Sequence, residues 1–170
     1  SKKSLDLNPG AVDFFVIAAA GGDEPRKSKP NGGYKTLPSF SPDGQWIAYF
    51  GQDGEGLGYK NFSLWIVPAD GSKPPRNLTE KHDLHCSPDV INDVGSPEYM
   101  PPTWSNDSKT IYFSVAHHGS VLLKSISVSG EIRDVIGEGG AVGSFSFDKA
   151  PTKLAYFYGK MHDPAQIYFN

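Results

Sequence analysis

Residues 38–50, PSFSPDGQWIAYF, contain a pattern that returns at residues 102–114 as PTWSNDSKTIYFS. Both stretches run from a proline and an aromatic residue, through Ser and Asp, into an apolar segment. A catalytic motif usually occurs once in a domain, whereas a recurring stretch of this kind indicates a repeated structural unit. The repeat therefore predicts a fold assembled from similar building blocks.

Each unit opens with an aromatic residue that is followed three positions later by an aspartate. A short carboxylate accepts hydrogen bonds from backbone N–H groups two residues further on and so closes a turn. Because the aromatic residue recurs at a fixed place, we predict that it packs in the core between units. In the last unit the turn is expected to be two residues longer than in the others. These structural repeat positions are Phe40, Asp43, Trp104, Asp107, Phe145 and Asp148.

The second element of each unit is almost continuously apolar, as in WIAYF at 46–50. A strand with one face in water alternates apolar and polar residues, so continuous apolarity predicts strands that are covered on both faces. A third element and a weaker fourth element follow at 63–71 and 74–78. The N-terminal stretch 15–26 aligns without gaps on 65–76, which predicts that it forms only the second half of a unit.

Four short elements per unit, separated by Gly, Pro, Asn and Asp, predict an all-β fold: a partial β-propeller of roughly three blades, each a four-stranded antiparallel sheet. The aromatic residues lie 64 residues apart (from 40 to 104) and then 41 apart (from 104 to 145), and the shorter interval is a usual blade length. A β-sandwich is the structural alternative, but it does not predict an aligned four-part unit. The predicted boundaries are an outer half-blade over 1–34, a full blade with insertions over 35–100, a full blade over 101–139 and the inner part of a further blade over 140–170.

The composition of the 170-residue chain is that of an ordinary globular domain, with 38% apolar and 21% charged residues. Its net charge of −3 gives no general reason to bind nucleic acid or an anionic membrane, and we expect neither as a partner. The longest apolar run, at 14–22, is too short to span a bilayer. The single cysteine, Cys86, excludes an internal disulfide. A cytoplasmic location is favoured, and the periplasmic and secreted alternatives stay open.

The cluster HDLHC at 82–86, with Asp89 nearby, combines residue types that bind borderline metal ions. Its spacing is not that of a standard zinc motif, and the second ligand pair that usually closes such a site is missing. We therefore expect a polar loop between blades, with a partly buried cysteine, and predict neither a metal nor a cofactor.

The segments FSPDGQWIAYF, LWIVPADGSKPPRNLT and WSNDSKTIYFSV resemble the β-propeller domain of the prolyl oligopeptidase family of serine peptidases, with most similarity to the acylaminoacyl-peptidase and dipeptidyl aminopeptidase branch. The second full unit departs from the pattern, with Asn-Asp-Ser at 106–108 where Pro-Asp-Gly is usual. The resemblance implies a propeller that caps an α/β-hydrolase domain carrying the catalytic Ser, Asp and His. The chain contains no G-x-S-x-G motif, so no catalytic residue of the family is assigned to it.

The function implied by this resemblance is that of a non-catalytic propeller segment in a serine peptidase. Its partners would be the α/β-hydrolase domain of the parent chain and the short peptides that enter a chamber which the propeller walls and gates. The alternative is a Tol-type periplasmic or scaffolding propeller that binds a protein partner and belongs to no enzyme. We also expect exposed blade edges, through which the chain forms a homo-oligomer.

Overall fold

The computed structural model describes residues 12–22, 24–27, 33–54, 59–90, 99–137, 139–150 and 152–169. These residues form thirteen β-strands. None of the described segments forms a helix able to cross a membrane. The strands are β1 (Phe15–Val16), β2 (Arg26–Lys27), β3 (Lys35–Phe40), β4 (Trp46–Gly51), β5 (Ser63–Pro68), β6 (Arg76–Asn77), β7 (Thr103–Trp104), β8 (Thr110–His117), β9 (Ser120–Ser127), β10 (Ile132–Ile136), β11 (Ala141–Phe147), β12 (Leu154–Lys160) and β13 (Asp163–Phe169).

Strands that follow one another in the chain pair antiparallel and divide into four groups. We call these the first sheet (β1–β2), the second sheet (β3–β6), the third sheet (β7–β10) and the fourth sheet (β11–β13). The third and fourth sheets are joined through a parallel pair between Val121 of β9 and Ala141 of β11. Among the described strands, the second and third sheets have four strands each, the fourth has three and the first has two. Successive antiparallel sheets of this kind are the blades of a β-propeller, so the predicted partial propeller is confirmed. The blade boundaries drawn from the sequence remain predictions.

The hydrophobic core lies at the junctions between successive sheets. Side chains alternate along β4, so that Ala48 and Phe50 pack toward the third sheet while Ile47 and Tyr49 pack toward the first. All four side chains are buried, which explains why WIAYF is apolar at every position. The buried members of the cluster between the second and third sheets are Ala48, Phe50, Leu64, Ile66, Leu78, Cys86, Ile111, Phe113, Val115 and Ile126.

The fourth sheet departs from the expectation that apolar strands are covered on both faces. Ala155 pairs with Phe169 and Phe157 pairs with Ile167, which places these four side chains on one face. Phe157 is 45% exposed, Ile167 64% and Phe169 82%. No sheet in the described part of the chain packs on this face, so its apolar side chains remain exposed.

The antiparallel order gives the array two different rims. The turn rim holds the turns between the first and second strands and between the third and fourth strands of each sheet. The insertion rim is the opposite one, where the long connections from β4 to β5 and from β6 to β7 emerge.

Candidate functional site

Asp43 closes the turn after β3 on the turn rim. Its Oδ1 accepts hydrogen bonds from the Oγ–H of Ser41 at 2.6 Å and from the backbone N–H of Gln45 at 3.0 Å. The Oγ of Ser41 also accepts the backbone N–H of Trp46 at 2.9 Å. The hydrogen bond from Ser41 is the main cause of the lowered pKa of Asp43, followed by the one from Gln45. The carboxylate therefore acts locally, as a turn acceptor.

Asp107 makes the same contacts in the third sheet. Its Oδ1 accepts the Oγ–H of Ser105 at 2.6 Å and the backbone N–H of Lys109 at 3.1 Å, and the first of these bonds is the main cause of its lowered pKa. Ser108 occupies the turn position that Gly44 holds in the second sheet. Its φ of 59°, beside 69° for Gly44, shows that the turn requires a left-handed residue in both sheets.

Asp148 occupies a different turn position from the other two aspartates. Its backbone N–H donates to the carbonyl of Lys153 at 3.1 Å, the contact that Ser41 makes with Trp46. Its Oδ1 accepts the backbone N–H groups of Thr152 at 2.7 Å and Lys153 at 2.9 Å, and the bond from Lys153 is the main cause of its lowered pKa. One carboxylate thus does the work that a serine and an aspartate share in the other sheets.

The register of the fourth sheet therefore differs from the sequence expectation by two residues. Phe147 pairs with Leu154 as Phe40 pairs with Ile47, so Phe147, and not Phe145, holds the aromatic position at the turn. The turn has the same spacing as in the other sheets, and the expected two-residue extension is absent. The pairing of β11 with β12 instead shifts register between Val142 and Phe145.

Of the three aromatic residues named from the sequence, the two that follow a full sheet pack into the core. Trp104 packs into the core between the second and third sheets, and its indole N–H donates to the carbonyl of Ser39 at 3.3 Å. Phe145 is 6% exposed in the next junction. Phe40, expected in the core, is 55% exposed. Only the two strands of the first sheet precede it in the described part of the chain, and they cover Ile47 but leave Phe40 open.

Polar contacts connect successive sheets along the turn rim. The Arg26 guanidinium donates to the carbonyls of Ala69 and Asp70 in the second sheet. Arg76, which aligns with Arg26 in the sequence repeat, donates to the carbonyl of Val128 in the third sheet. Two more contacts join neighbouring turns: Asp43 N–H to Ser108 Oγ at 3.1 Å, and Asn106 Nδ2–H to the Lys149 carbonyl at 2.7 Å.

A cavity of about 330 Å³ opens on the insertion rim between the second and third sheets. This volume lies at the lower end of the range for small-molecule pockets. The cavity combines an apolar wall with several hydroxyl groups and one carboxylate. Its lining residues are Tyr34, Thr36, Leu37, Phe50, Phe62, Cys86, Ser87, Pro88, Asp89, Tyr99, Met100 and Ser114.

Residues 86–89, which follow β6, form one side of this pocket. The backbone N–H of Cys86 donates to the carbonyl of Phe62 at 2.8 Å, and the N–H of Ala116 donates to the carbonyl of His85 at 3.1 Å. The segment is thereby wedged between the second and third sheets. Burial raises the pKa of the Cys86 thiol to about 12, so the thiol stays protonated and is a poor nucleophile and metal ligand.

A hydrogen-bonded group of three side chains borders the pocket. The Nδ1 of His85 accepts the backbone N–H of Phe62 at 3.2 Å, which assigns the proton of the neutral ring to Nε2. Nε2 then donates to Asp89 Oδ2 at 3.0 Å, and the hydroxyl of Tyr99 donates to Asp89 Oδ1. Burial raises the pKa of Asp89, but hydrogen bonds from Tyr99, His85 and Ser87 outweigh it, so the pKa is lowered and the carboxylate is ionised.

The structure separates the side chains of the HDLHC cluster. Asp83 accepts a hydrogen bond from Asn61 at 3.0 Å, while His85 turns to Asp89 and Cys86 is buried beside Thr79. Within the described ranges, no three His, Cys, Asp or Glu side chains are placed to hold a metal ion. The sequence did not reveal the pocket, because its residues come from six separate parts of the chain.

Comparisons with known proteins bear on the fold. No family model matches the chain, and no curated protein is similar enough to count as a relative. Among solved structures, the acylaminoacyl peptidase of Pyrococcus horikoshii matches 94% of the chain with a TM-score of 0.63 and 17% identity. The β-propeller domain of the Trilobed protease from Pyrococcus furiosus matches 92% with a TM-score of 0.61 and 16% identity. TolB from Acinetobacter baumannii matches 95% with a TM-score of 0.59 and 13% identity.

These similarities define the class of fold as a β-propeller, which the chain shares with the two peptidases and with TolB. The resemblance drawn from the sequence is thereby borne out at the level of the fold. The chain spans only part of each matched protein: 21% of the acylaminoacyl peptidase, 40% of the Trilobed protease chain and 38% of TolB.

Proposed function

We propose that this chain is a non-catalytic propeller segment of a serine peptidase of the prolyl oligopeptidase family. In the parent protein it forms part of the wall of a chamber that admits short peptides and excludes folded proteins. Its partner there is an α/β-hydrolase domain that carries the serine, histidine and aspartate. The selectivity is steric, because rigid sheets leave only a narrow entrance.

The order and content of the sheets carry this proposal. Two motifs resemble the peptidase family. FSPDGQWIAYF covers the end of β3 and most of β4, and LWIVPADG covers most of β5 and the turn after it. These strands are the first three of the second sheet. The aspartates of the repeat serve turns, so they are not free for acid–base chemistry. A structural role within a larger enzyme fits these observations better than catalysis by the chain itself.

The decisive experiment compares this chain with the longer polypeptide encoded by the same gene. We expect the sequence after residue 170 to contain G-x-S-x-G, followed by an Asp and a His in that order. The longer polypeptide should hydrolyse short chromogenic peptides. It should leave intact a folded protein that contains the same peptide sequence, and residues 1–170 alone should be inactive. A complete gene without the G-x-S-x-G motif, or equal cleavage of short and folded substrates, would reject the proposal.

The similarity to TolB over 95% of the chain favours one alternative, a propeller that binds a protein partner and belongs to no enzyme. A gene with further propeller repeats but no hydrolase domain would support it. Recovery of a stoichiometric protein partner, with no peptidase activity in the full-length protein, would decide for this alternative.

The exposed face of the fourth sheet also leads us to propose that the isolated chain self-associates. Phe157, Ile167 and Phe169 are exposed on one face, and β13 pairs on one side only among the described strands. Sedimentation velocity should show concentration-dependent association at about tens of micromolar, a range typical of weak contacts. Ile167→Lys should shift the distribution toward monomer, whereas Tyr59→Lys, at another exposed aromatic residue, should not. A monomeric wild-type chain would contradict this proposal.

A further inference from the structure

The carboxylate of Asp89 carries a negative charge that only neutral groups satisfy. Its hydrogen bonds come from Tyr99, Ser87 and the Nε2–H of His85, whose Nδ1 already accepts a backbone N–H. Among the described residues, the lysine ion pairs join Lys27 to Asp13 and Lys124 to Asp134, and none of these residues lines the pocket. The Asp89 side chain is 43% exposed, so a cation that enters the pocket can reach its charge.

The walls beside Asp89 are suited to the apolar part of a ligand. The ring of Tyr34 packs edge-on against Phe62 at 5.7 Å, and Phe62 packs edge-on against the His85 ring at 5.7 Å. Leu37, Phe50 and Met100 complete this side. Aromatic rings attract organic cations through their electron-rich faces, and methionine adapts to irregular apolar shapes.

We propose that this pocket binds a small primary ammonium ion with a compact apolar body. The ammonium group would donate to Asp89, and the body would fill the space between Phe50, Phe62 and Met100. The carboxylate would repel an anion, and a neutral molecule would gain no charge–charge attraction from it. The arrangement does not depend on the peptidase assignment, because all of its residues lie within this chain.

The test measures binding of 2-phenylethylammonium to the 170-residue chain by chemical-shift perturbation or calorimetry at neutral pH. The neutral isostere 2-phenylethanol and the anion 3-phenylpropanoate are the comparison ligands. We expect the ammonium ion to bind roughly ten- to a hundredfold more tightly than the alcohol, the usual gain of a charged hydrogen bond over none. Equal binding of alcohol and ammonium, tighter binding of the anion, or no binding of the ammonium ion at tens of millimolar would overturn the proposal.

Four variants locate the site. Asp89→Asn keeps the shape but removes the charge, and it should weaken 2-phenylethylammonium by roughly ten- to a hundredfold. Asp134→Asn removes one exposed carboxylate elsewhere and should leave binding unchanged. Ser114→Leu fills the cavity and should abolish binding of both the ammonium ion and the alcohol. Tyr99→Phe removes a neutral donor from Asp89 and should leave the ammonium ion bound at least as tightly.

Unchanged binding in both Asp89→Asn and Ser114→Leu would show that the ligand binds elsewhere, and the proposal would be wrong. If Asp89→Asn loses its native circular dichroism, the comparison between Ser114→Leu and Tyr99→Phe decides in its place. Binding of n-butylammonium distinguishes an aliphatic from an aromatic ligand body. An affinity comparable to that of 2-phenylethylammonium indicates that any compact apolar group suffices, and weaker binding indicates that the rings select an aromatic group. Either result supports the site, provided that the corresponding neutral alcohol binds more weakly.

Discussion

Phe50 and Phe157 hold the same place in two sheets and have different surroundings. Phe50 pairs with Leu64, and Phe157 pairs with Ile167, each in the second and third strands of its sheet. Phe50 is 7% exposed because the third sheet covers it, whereas Phe157 is 45% exposed. The difference shows that the strand sequence fixes which face is apolar, but a neighbouring sheet decides whether that face contributes to stability.

The largest effect is expected from truncating the covered member of this pair. Phe50→Ala should lower the free energy of unfolding by about 3–5 kcal/mol, because it removes a buried ring and leaves a cavity. Phe157→Ala is the matched control and should cost less than about 1 kcal/mol, since that ring is already half in water. Chemical denaturation of both variants measures the difference. Similar losses at the two positions would mean that the face of the fourth sheet is covered in solution.

The second prediction compares the turns instead of the faces. Gly44→Ala should destabilise the chain by about 1–2 kcal/mol, because Gly44 has a φ of 69° and a Cβ there has open space, so the cost comes from the backbone alone. Gly137→Ala, also in open space but without a positive φ, is the control and should change stability little. An unaffected Gly44→Ala would show that the turn can rearrange.

A third prediction follows from the pKa of Asp107, which its hydrogen bonds lower in the folded state. A lowered folded pKa stabilises the fold above the unfolded value of about 3.9, and this contribution is lost as the pH falls through the folded pKa. Asp107→Asn should therefore lower the thermal midpoint at pH 7 and flatten its decline below about pH 4. Asp134→Asn controls for the loss of one negative charge. A steeper acid decline in Asp107→Asn would contradict the prediction.

The smallest effect is expected in the alkylation of Cys86, which tests whether the junction between the second and third sheets is closed to solvent. Burial holds its pKa at about 12, so iodoacetamide at pH 8 should not alkylate the native chain. The denatured chain should react at the rate of an ordinary thiol, and mass spectrometry distinguishes the two. Rapid labelling under native conditions would mean that the junction between the second and third sheets opens.

The strands and the turns between them could be predicted because each is specified by residues close together in the sequence. Asp43 and Asp107 each follow a serine by two residues and precede an apolar run, so the spacing alone identifies the turn. The register of the fourth sheet could not be predicted in this way. Residues 143–147 contain aromatic residues at both 145 and 147, and only the pairing with Leu154 shows which one lies at the turn.

Burial and the pocket depend on the tertiary arrangement. The sequence around Phe40 matches that around Trp104, and only the extent of the preceding sheet makes one exposed and the other part of the core. Asp89 and Tyr99 share a hydrogen bond although both lie outside the repeated motifs. Residues that contact one another through a non-repeating segment carry no pattern that could be recognised beforehand.

The contacts of Arg26 and Arg76 with the next sheet, like those between neighbouring turns, all lie on the turn rim. That rim sets the spacing of one sheet from the next, so its loops cannot lengthen without disturbing their neighbours. Both long connections of the second sheet emerge on the opposite rim, where His85 and Cys86 still bond to the neighbouring sheets. New binding properties can therefore evolve on one side of the molecule by lengthening loops, while the other side preserves the scaffold.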